Sequence, residues 1–347
     1  MIHTKRKMEI TLIQLQDMPD EILLKTFKYL NRKDLLRCGK VSRRFRKITQ
    51  DDLLWQKVNL CRKTVPCEFL QTILLNGCKY LSLYDAKLEG RLDIKERSKL
   101  RYLDLSFCKN VSKVYKELLT SCCNLEKLSL HSSDLFWSHP NYPTPMKTKI
   151  LKDFFIQNGK SLKILNLIDC KGLTIQTISN IATNCTELTE LNLDGTYLSE
   201  ESMNILSENL SPKIEQLSLY GIRFATDEHI KALVTRCNKI KELTLRKTSI
   251  SDISVIYIIE NLSDTLEKLD VSFSRTRIEF ETLLNLKSLP KLRVLSCSQL
   301  STTKTEDIEE YLPDLKITAF MTDSLRKTYL NIHDGFWEIK AKQEQYL

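Results

Sequence analysis

LKILNL at 162–167 returns as LTELNL at 188–193. The same frame, aliphatic–x–x–aliphatic–x–aliphatic, continues at Ile214/Leu217/Leu219, Ile240/Leu243/Leu245, Leu266/Leu269/Val271 and Leu292/Leu295/Cys297. From 162 to 292 its first position therefore advances by 26 residues five times in succession. Upstream copies stand at Leu125/Leu128/Leu130 and Leu100/Leu103/Leu105, with weaker ones at Cys78/Leu81/Leu83 and Leu315/Thr318/Phe320. A held period of this length marks units that cannot bury their own apolar face and must stack to share a core. The alternating half of the frame predicts a short half-buried strand, and Ile178, Ile181 and Ala182 within Thr174–Thr183 predict a helix between strands. The expected fold is α/β: about ten strand–turn–helix units, a parallel sheet on the concave side and helices on the convex side.

The frame is that of a leucine-rich repeat, and the recurrent cysteines resemble its cysteine-containing subfamily. Cys108 and Cys170 fall at position 9 of their units, counting the first aliphatic as position 1, where Asn or Cys caps the turn. Cys122, Cys185 and Cys237 precede the next unit's first aliphatic by three residues. These five read as small buried thiols, and no C-x-x-C spacing suggests a metal. Positions 3, 5 and 7 should face out of the concave sheet. Position 5 is small in every unit (Ser82, Asp104, Ser129, Asn166, Asn192, Ser218, Thr244, Asp270, Ser296, Ala319), so the expectation is an open groove. Ten strands give a face about 45 Å long, suited to a protein segment. Tyr84, His131, Tyr220 and Arg246 stand at position 7 as larger handles for a substrate, His131 being read as a solvated or hydrogen-bonded surface group rather than a ligand. Position 10 carries Lys109, Lys171, Arg223 and Arg275, with Lys247 and Arg277 nearby; these form either a solvated edge or a docking rim for acidic or phosphorylated substrate.

One step departs from the period. Leu125 to Leu162 spans 37 residues, and the extra segment falls around Phe136–Met146. Three prolines there argue against helix or paired strand. Phe136, Trp137 and Tyr142 either pack back on the solenoid edge or present a partner-binding loop.

Composition narrows the function classes. The chain of 347 residues holds 8 Gly and 8 Pro, few for a loop-rich enzyme that cradles phosphate. No apolar run approaches the ~18 residues that span a bilayer. The first ten residues lack the apolar stretch of a secretory signal, and the 11 cysteines then read mostly as reduced thiols of a cytoplasmic or nuclear protein. Residues 1–60 contain 14 Lys and Arg against 7 Asp and Glu, whereas the rest of the chain is nearly neutral. The basic excess belongs to an N-terminal module, which argues against nucleic acid along the whole molecule. No paired acid/base motif, Gly-rich phosphate loop or metal spacing occurs, so neither catalysis nor a cofactor is expected.

That module begins at Leu15 and reads LQDMPDEILLKTFKYL, followed by Asp34-Leu-Leu, by VSRRFRKI at 41–48 and by Leu53-Leu-Trp55. Pro19 is placed just inside a helix start with Asp20 and Glu21 in its first turn. Three short helices over some 45 residues lie near the lower limit for a lone fold, so the module should lean on a neighbour or partner. The set L-x-x-M-P-D-E-I-L-L, D-L-L, V-S-R-R-F-R and L-L-W resembles an F-box, with Met18 and Phe45 in place of the commoner Leu and Trp. The resemblance implies binding to a Skp-type adaptor and, through it, to a cullin–RING ubiquitin ligase. It places Met18, Pro19, Ile22, Leu23, Leu35, Val41 and Trp55 at the adaptor contact or directly behind it. Trp55-x-x-Val58-x-Leu60 already resembles a repeat strand, so no linker separates the two parts.

The expected organisation is a basic arm (1–14), an F-box (15–60), the repeats (61–320) and a tail (321–347). In the tail, Gly335-Phe-Trp-Glu-Ile-Lys340 resembles the segment that turns back along the concave face in the S-phase kinase-associated branch of the F-box/leucine-rich-repeat family. That likeness implies that Trp337 borders the substrate site, that substrates are cell-cycle regulators and that a Cks-type accessory protein takes part. The leading expectation is a non-catalytic substrate receptor of an SCF-type ligase, neither membrane-bound nor joined to nucleic acid. The alternative is a repeat protein that binds or inhibits partners without ligase assembly.

Overall fold

The computed structural model describes residues 15–108, 112–132, 145–297, 310–313 and 315–317. The basic arm, Lys109, the loop with Phe136, Trp137 and Tyr142, and the tail with Trp337 lie outside the described residues.

Each copy of the frame supplies one three-residue strand. Strands at Lys57–Asn59, Tyr80–Ser82, Tyr102–Asp104, Lys127–Ser129, Ile164–Asn166, Glu190–Asn192, Gln216–Ser218, Glu242–Thr244, Lys268–Asp270, Val294–Ser296 and Lys316–Ile317 pair in that order into one parallel sheet. Position 4 lies beside position 4 throughout: Val58 by Leu81, Leu81 by Leu103, and so on to Leu269 by Leu295. This register puts positions 4 and 6 of every unit on the inner side, where all are buried from Val58 to Cys297. At the last copy the pairing slips. Lys316 and Ile317 pair with Val294 and Leu295, one residue earlier than the frame Leu315/Thr318/Phe320 requires. Thr318 and Phe320 themselves lie outside the described residues.

The ladder runs beyond the named strands. Position 8 N–H groups donate to the position 7 carbonyl of the following unit, as in Phe107 to His131, Gly195 to Tyr220 and Lys247 to Ser272 at 2.8–3.0 Å. Where the chain turns off the sheet, position 8 adopts positive φ in nine consecutive units, Arg62, Asp85, Phe107, Ser132, Asp169, Gly195, Gly221, Lys247 and Phe273, and the first eight make this bond. Position 9 closes the turn by donating back to position 6, as in Cys170 to Leu167 and Thr248 to Leu245. Only two of the nine are glycine, the residue this conformation favours.

Helices pack outside the sheet at Ser112–Ser121, Pro145–Asn158, Ile175–Asn184, Glu200–Asn209, Asp227–Arg236 and Asp252–Leu262. Hydroxyl caps start several of them: Thr174 accepts from Thr177 N at 3.1 Å and Ser199 from Ser202 N at 3.2 Å. Two departures from expectation occur. The segment read as non-helical through Met146 is already helical from Pro145, because proline is tolerated at a helix start, where its missing N–H has no partner to lose. The unit beginning at Cys78 has no helix; Lys87–Glu89 instead pairs with Thr64–Pro66 as a second, two-stranded sheet. After the long unit, buried Asn158 joins the layers. Its Oδ1 accepts from Leu125 N at 3.0 Å, and its Nδ2 donates to the Cys122 and Phe154 carbonyls at 3.1 Å.

The predicted cysteine roles at positions 9 and −3 match the packing. Cys108 and Cys170 are buried and donate to the Leu83 and Leu130 carbonyls of the preceding unit at 2.7 and 3.2 Å. Cys122, Cys185 and Cys237 are also buried, and burial pushes the first two thiols up to about 12.

The N-terminal module has four helices: α1 (Asp20–Phe27), α2 (Arg32–Cys38), α3 (Arg43–Thr49) and α4 (Asp52–Trp55). Asn31, Ser42 and Asp51 cap the last three by accepting from Asp34 N, Phe45 N and Leu53 N at 2.9–3.0 Å. Pro19 lies outside α1 as its N-cap, with extended backbone, rather than inside the helix start. Leu23, Phe27, Leu35, Phe45 and Trp55 belong to the same continuous apolar core as the repeats.

Candidate functional site

Two surfaces hold the expected binding residues. On the N-terminal module, the seven adaptor candidates separate by burial. Leu23, Leu35 and Trp55 are 0 % exposed, so in this conformation they cannot touch a partner and act as supports. Their neighbours explain this. Leu23 and Phe27, four residues apart, share the inner face of α1, and the Trp55 indole donates to the Thr49 carbonyl at 2.6 Å. Ile22 and Val41 stay 43 % and 71 % exposed, Pro19 is exposed and Met18 is half-buried. Sequence reasoning missed Tyr29, 91 % exposed just past the end of α1, and Leu53, half exposed on α4. The module therefore closes its inner side chains into the core it shares with the repeats and still shows water a set of apolar side chains. Arg44 braces the segment before α1, donating to the Met18 carbonyl and pairing with Asp20.

The join to the repeats is direct. Asp52 pairs with Lys99 at 2.8 Å, and a Cβ at Gly77 would strike the Asp52 carboxyl. The Arg32 guanidinium lies 5.9 Å from the centre of the Trp55 ring.

On the concave face, position 5 does not form an open groove floor. Ser82, Asp104, Ser129, Asn166, Asp270 and Ser296 are buried, while Asn192, Ser218 and Thr244 are half-buried. Their small polar side chains turn back on the strand end. Asp104, Asn166, Asn192 and Asp270 each accept from the N–H two residues on, at 2.9–3.1 Å. Asx side chains do this readily, and it satisfies the position 7 N–H where the strand stops. Larger residues at positions 3, 7 and 8 make the surface instead.

Those residues form clusters. Tyr80 and Tyr102 meet edge to face at 4.5 Å, with Lys57 over one ring and Lys127 over the other. Tyr84 meets Phe107 at 5.2 Å, and Phe107 lies 4.4 Å from His131 between ring centres. His131 is buried rather than solvated, and desolvation lowers its pKa to about 4; the Asp169 carboxylate, 3.9 Å from Nε2, is at the outer limit of an ion pair. Asp194, which also stands at position 7, is buried and raised to about 6 by desolvation, although Ser218 Oγ and Tyr220 N donate to its Oδ1.

Further along, the Arg246 guanidinium lies 5.6 Å from the Tyr220 ring centre and 4.9 Å from that of Phe273. Lys247 Nζ donates to Tyr220 Oη at 3.3 Å. Arg223 and Arg275 are exposed on the rim, and Lys171 Nζ stands 5.6 Å over the Tyr197 ring. The structure thus joins Tyr220, Arg246 and Lys247, leaves Arg223, Arg275 and Lys171 along the edge, and puts Tyr84 with His131 in a separate cluster. Phe273 and Phe107, which complete these clusters from position 8, gave no signal in the repeat frame.

A four-helix module with apolar side chains in water, fused to a repeat solenoid, is the architecture of F-box/leucine-rich-repeat proteins. Residues 143–344, more than half of the chain, match the family described as SKP2 LRR domain, and residues 15–61 match F-box-like. The chain belongs to the F-box/leucine-rich-repeat family, whose members generally act as SCF substrate receptors and are typically non-catalytic. F-box/LRR-repeat protein 12 of Mus musculus is 24% identical over 303 residues, covering 82% of this chain and 88% of that protein. The putative RNA-binding protein EEED8.10 of Caenorhabditis elegans is 26% identical over 222 residues, or 62% of this chain, and the match spans 29% of that protein. Among solved structures, the yeast Rad7 and Elc1 complex gives a TM-score of 0.42 at 14% identity, covering 88% of this chain and 94% of the other; that likeness carries no argument about partners.

Proposed function

We propose that this protein is the substrate-binding subunit of an SCF-type ubiquitin ligase. Its F-box (15–60) engages a Skp-type adaptor, and its repeats (61–320) hold a protein substrate on the concave face and strand-exit rim. The observation that carries the reading is the exposed set Pro19, Ile22, Tyr29, Val41 and Leu53 on a module whose core is already closed by Leu23, Leu35 and Trp55. A module with a complete core has no folding reason to keep these side chains in water, whereas an adaptor interface needs them there. Family membership supports the adaptor's identity and the absence of catalysis. The cell-cycle nature of the substrate, a Cks-type accessory protein, residence in cytoplasm or nucleus, and a tail (321–347) folded over the concave face with Trp337 near the substrate extend the same reading.

The test is co-purification of the full chain with a Skp-type adaptor, comparing wild type with Ile22→Ala/Val41→Ala. Loss of adaptor at unchanged Tm is expected. A wild-type chain that folds without capturing adaptor would return the protein to the alternative of a repeat binder outside any ligase.

A further inference from the structure

The two edges of the sheet treat charge differently. Along the edge where strands begin, several cations are paired across successive units, Arg101 and Lys163 with Glu126, Lys213 with Glu187, Lys241 with Glu215 and Lys268 with Glu242, while others such as Lys79 and Arg293 are not paired among the described residues. Along the exit edge, Lys171, Arg223, Arg246, Lys247 and Arg275 make no ion pair among the described residues.

Arg246 is the most constrained of these. The rings of Tyr220 and Phe273, one from the unit before and one from the unit after, lie against its guanidinium. Its Nε and Nη1 are buried and have no hydrogen-bond partner among the described residues. A cationic donor withdrawn from water without an acceptor is costly, and native proteins rarely leave one so. Asp270 feels the Arg246 charge, but its Oδ1 accepts from Ser272 N and no ion pair forms. Lys247 holds its ammonium 5.5 Å from the same Tyr220 ring centre. Lys247 and Phe273 both keep φ at 55° to occupy position 8, a conformation that disfavours bulky side chains and is retained where the surroundings demand it. Rings fix the plane of the guanidinium, its in-plane donors lack acceptors, and a second cation flanks it. An oxyanion is the group that satisfies all three.

We propose that a phosphate or carboxylate of an extended protein segment seats on Arg246 between Tyr220 and Phe273, with Lys247 beside it. That the segment is a ligase substrate rests on the function proposed above; the anion site itself does not. A nucleic-acid strand fits less well, because the repeats are close to neutral overall.

The test uses the full chain with fluorescent, otherwise degenerate peptide pools that carry a fixed phosphoserine, glutamate or glutamine. The phosphoserine or the glutamate pool should bind at least about tenfold more tightly than the glutamine pool, as charge-assisted bidentate contacts do. Whichever anionic pool leads names the source. Arg246→Gln should abolish the preference, Arg246→Lys should keep a small part of it, and Lys213→Gln, at a paired cation, should leave it intact. Tm measurements confirm that each variant folds. Equal binding by all three pools, an undiminished preference in Arg246→Gln, or tighter binding of a single-stranded oligonucleotide than of the phosphoserine pool would each overturn the site. Adaptor capture is measured on the same samples. Its loss would overturn the ligase reading and leave the anion site standing, whereas intact capture with no pool preference would do the reverse.

Discussion

Arg32 donates from Nη2 to the Lys57 carbonyl at 2.7 Å. Lys57 opens the first strand of the sheet, which among the described residues pairs only with Tyr80–Ser82. The Gln56 carbonyl serves that neighbour, so the next carbonyl along the strand points to the unpaired side. The guanidinium thus takes the place of a missing strand and blunts an edge that would otherwise invite another chain. Replacing Arg32 with Ala should lower stability by about 1 kcal/mol. Urea titration would show this, and greater self-association on size-exclusion chromatography is expected beside it. An unchanged midpoint would mean that the bond adds nothing.

Adjacent residues on α1 should behave oppositely. Leu23→Ala removes a fully buried side chain and should cost about 2–5 kcal/mol of stability. Ile22→Ala should change stability by less than about 1 kcal/mol while weakening adaptor capture. Equal effects of the two on Tm would contradict the assignment of one to the core and the other to the interface.

The strand-exit turn offers a backbone test. Gly221→Ala meets no atom within 4 Å, so its cost is conformational alone, about 1–2 kcal/mol. Gly195→Ala brings its Cβ against the Asp169 carboxylate as well and should cost more. Denaturant midpoints in the reverse order would show that the turn relaxes freely.

Two buried groups pull stability in opposite directions on the acid side. Burial raises Asp194 to about 6, so its protonated form is favoured in the folded state. Its contribution is full below the usual carboxylate range and is lost as pH rises through about 6. Burial lowers His131 to about 4, so its contribution is present above pH 6.5 and is lost as pH falls toward about 4. Asp194→Asn keeps an acceptor for Ser218 and Tyr220 without the charge. It should raise stability at pH 7 by about 1–3 kcal/mol and leave the acid-side loss from His131 uncompensated. Thermal melts from pH 4 to 7 check both slopes, and a variant whose profile parallels wild type would reject the Asp194 assignment.

The repeat was legible because its positions 4 and 6 are apolar for a single reason, burial, and that signal survives substitution by Ile, Val or Cys. Position 8 was not. Its left-handed backbone is imposed by the bond to the next unit, and only Gly195 and Gly221 advertise it, while Lys247 and Phe273 hide it. Position 5 misled for a related reason. A small polar residue between two aliphatics reads as a groove floor, but Asn166 and Asp270 are small and polar because they bond their own strand end. On the F-box, the motif located the module, yet motif matching does not separate Ile22 from Leu23; helical periodicity through Phe27 does. The unit at Cys78, which lacks a helix, takes the shortest step, 22 residues to Leu100, but the 23-residue unit before it keeps the helix Cys67–Leu75, so step length alone did not announce the difference.

The unbroken core from Leu23 to Leu315 has a thermodynamic consequence. With no hinge between module and solenoid, the surface that meets an adaptor and the surface that meets a substrate melt together. Whatever binds one end adds its binding free energy to the whole molecule, by about 2.7 kcal/mol at a ligand concentration a hundredfold above its Kd. A chain without its partner would then stand nearer to unfolding along its entire length, so its cellular lifetime would depend on how much partner is present.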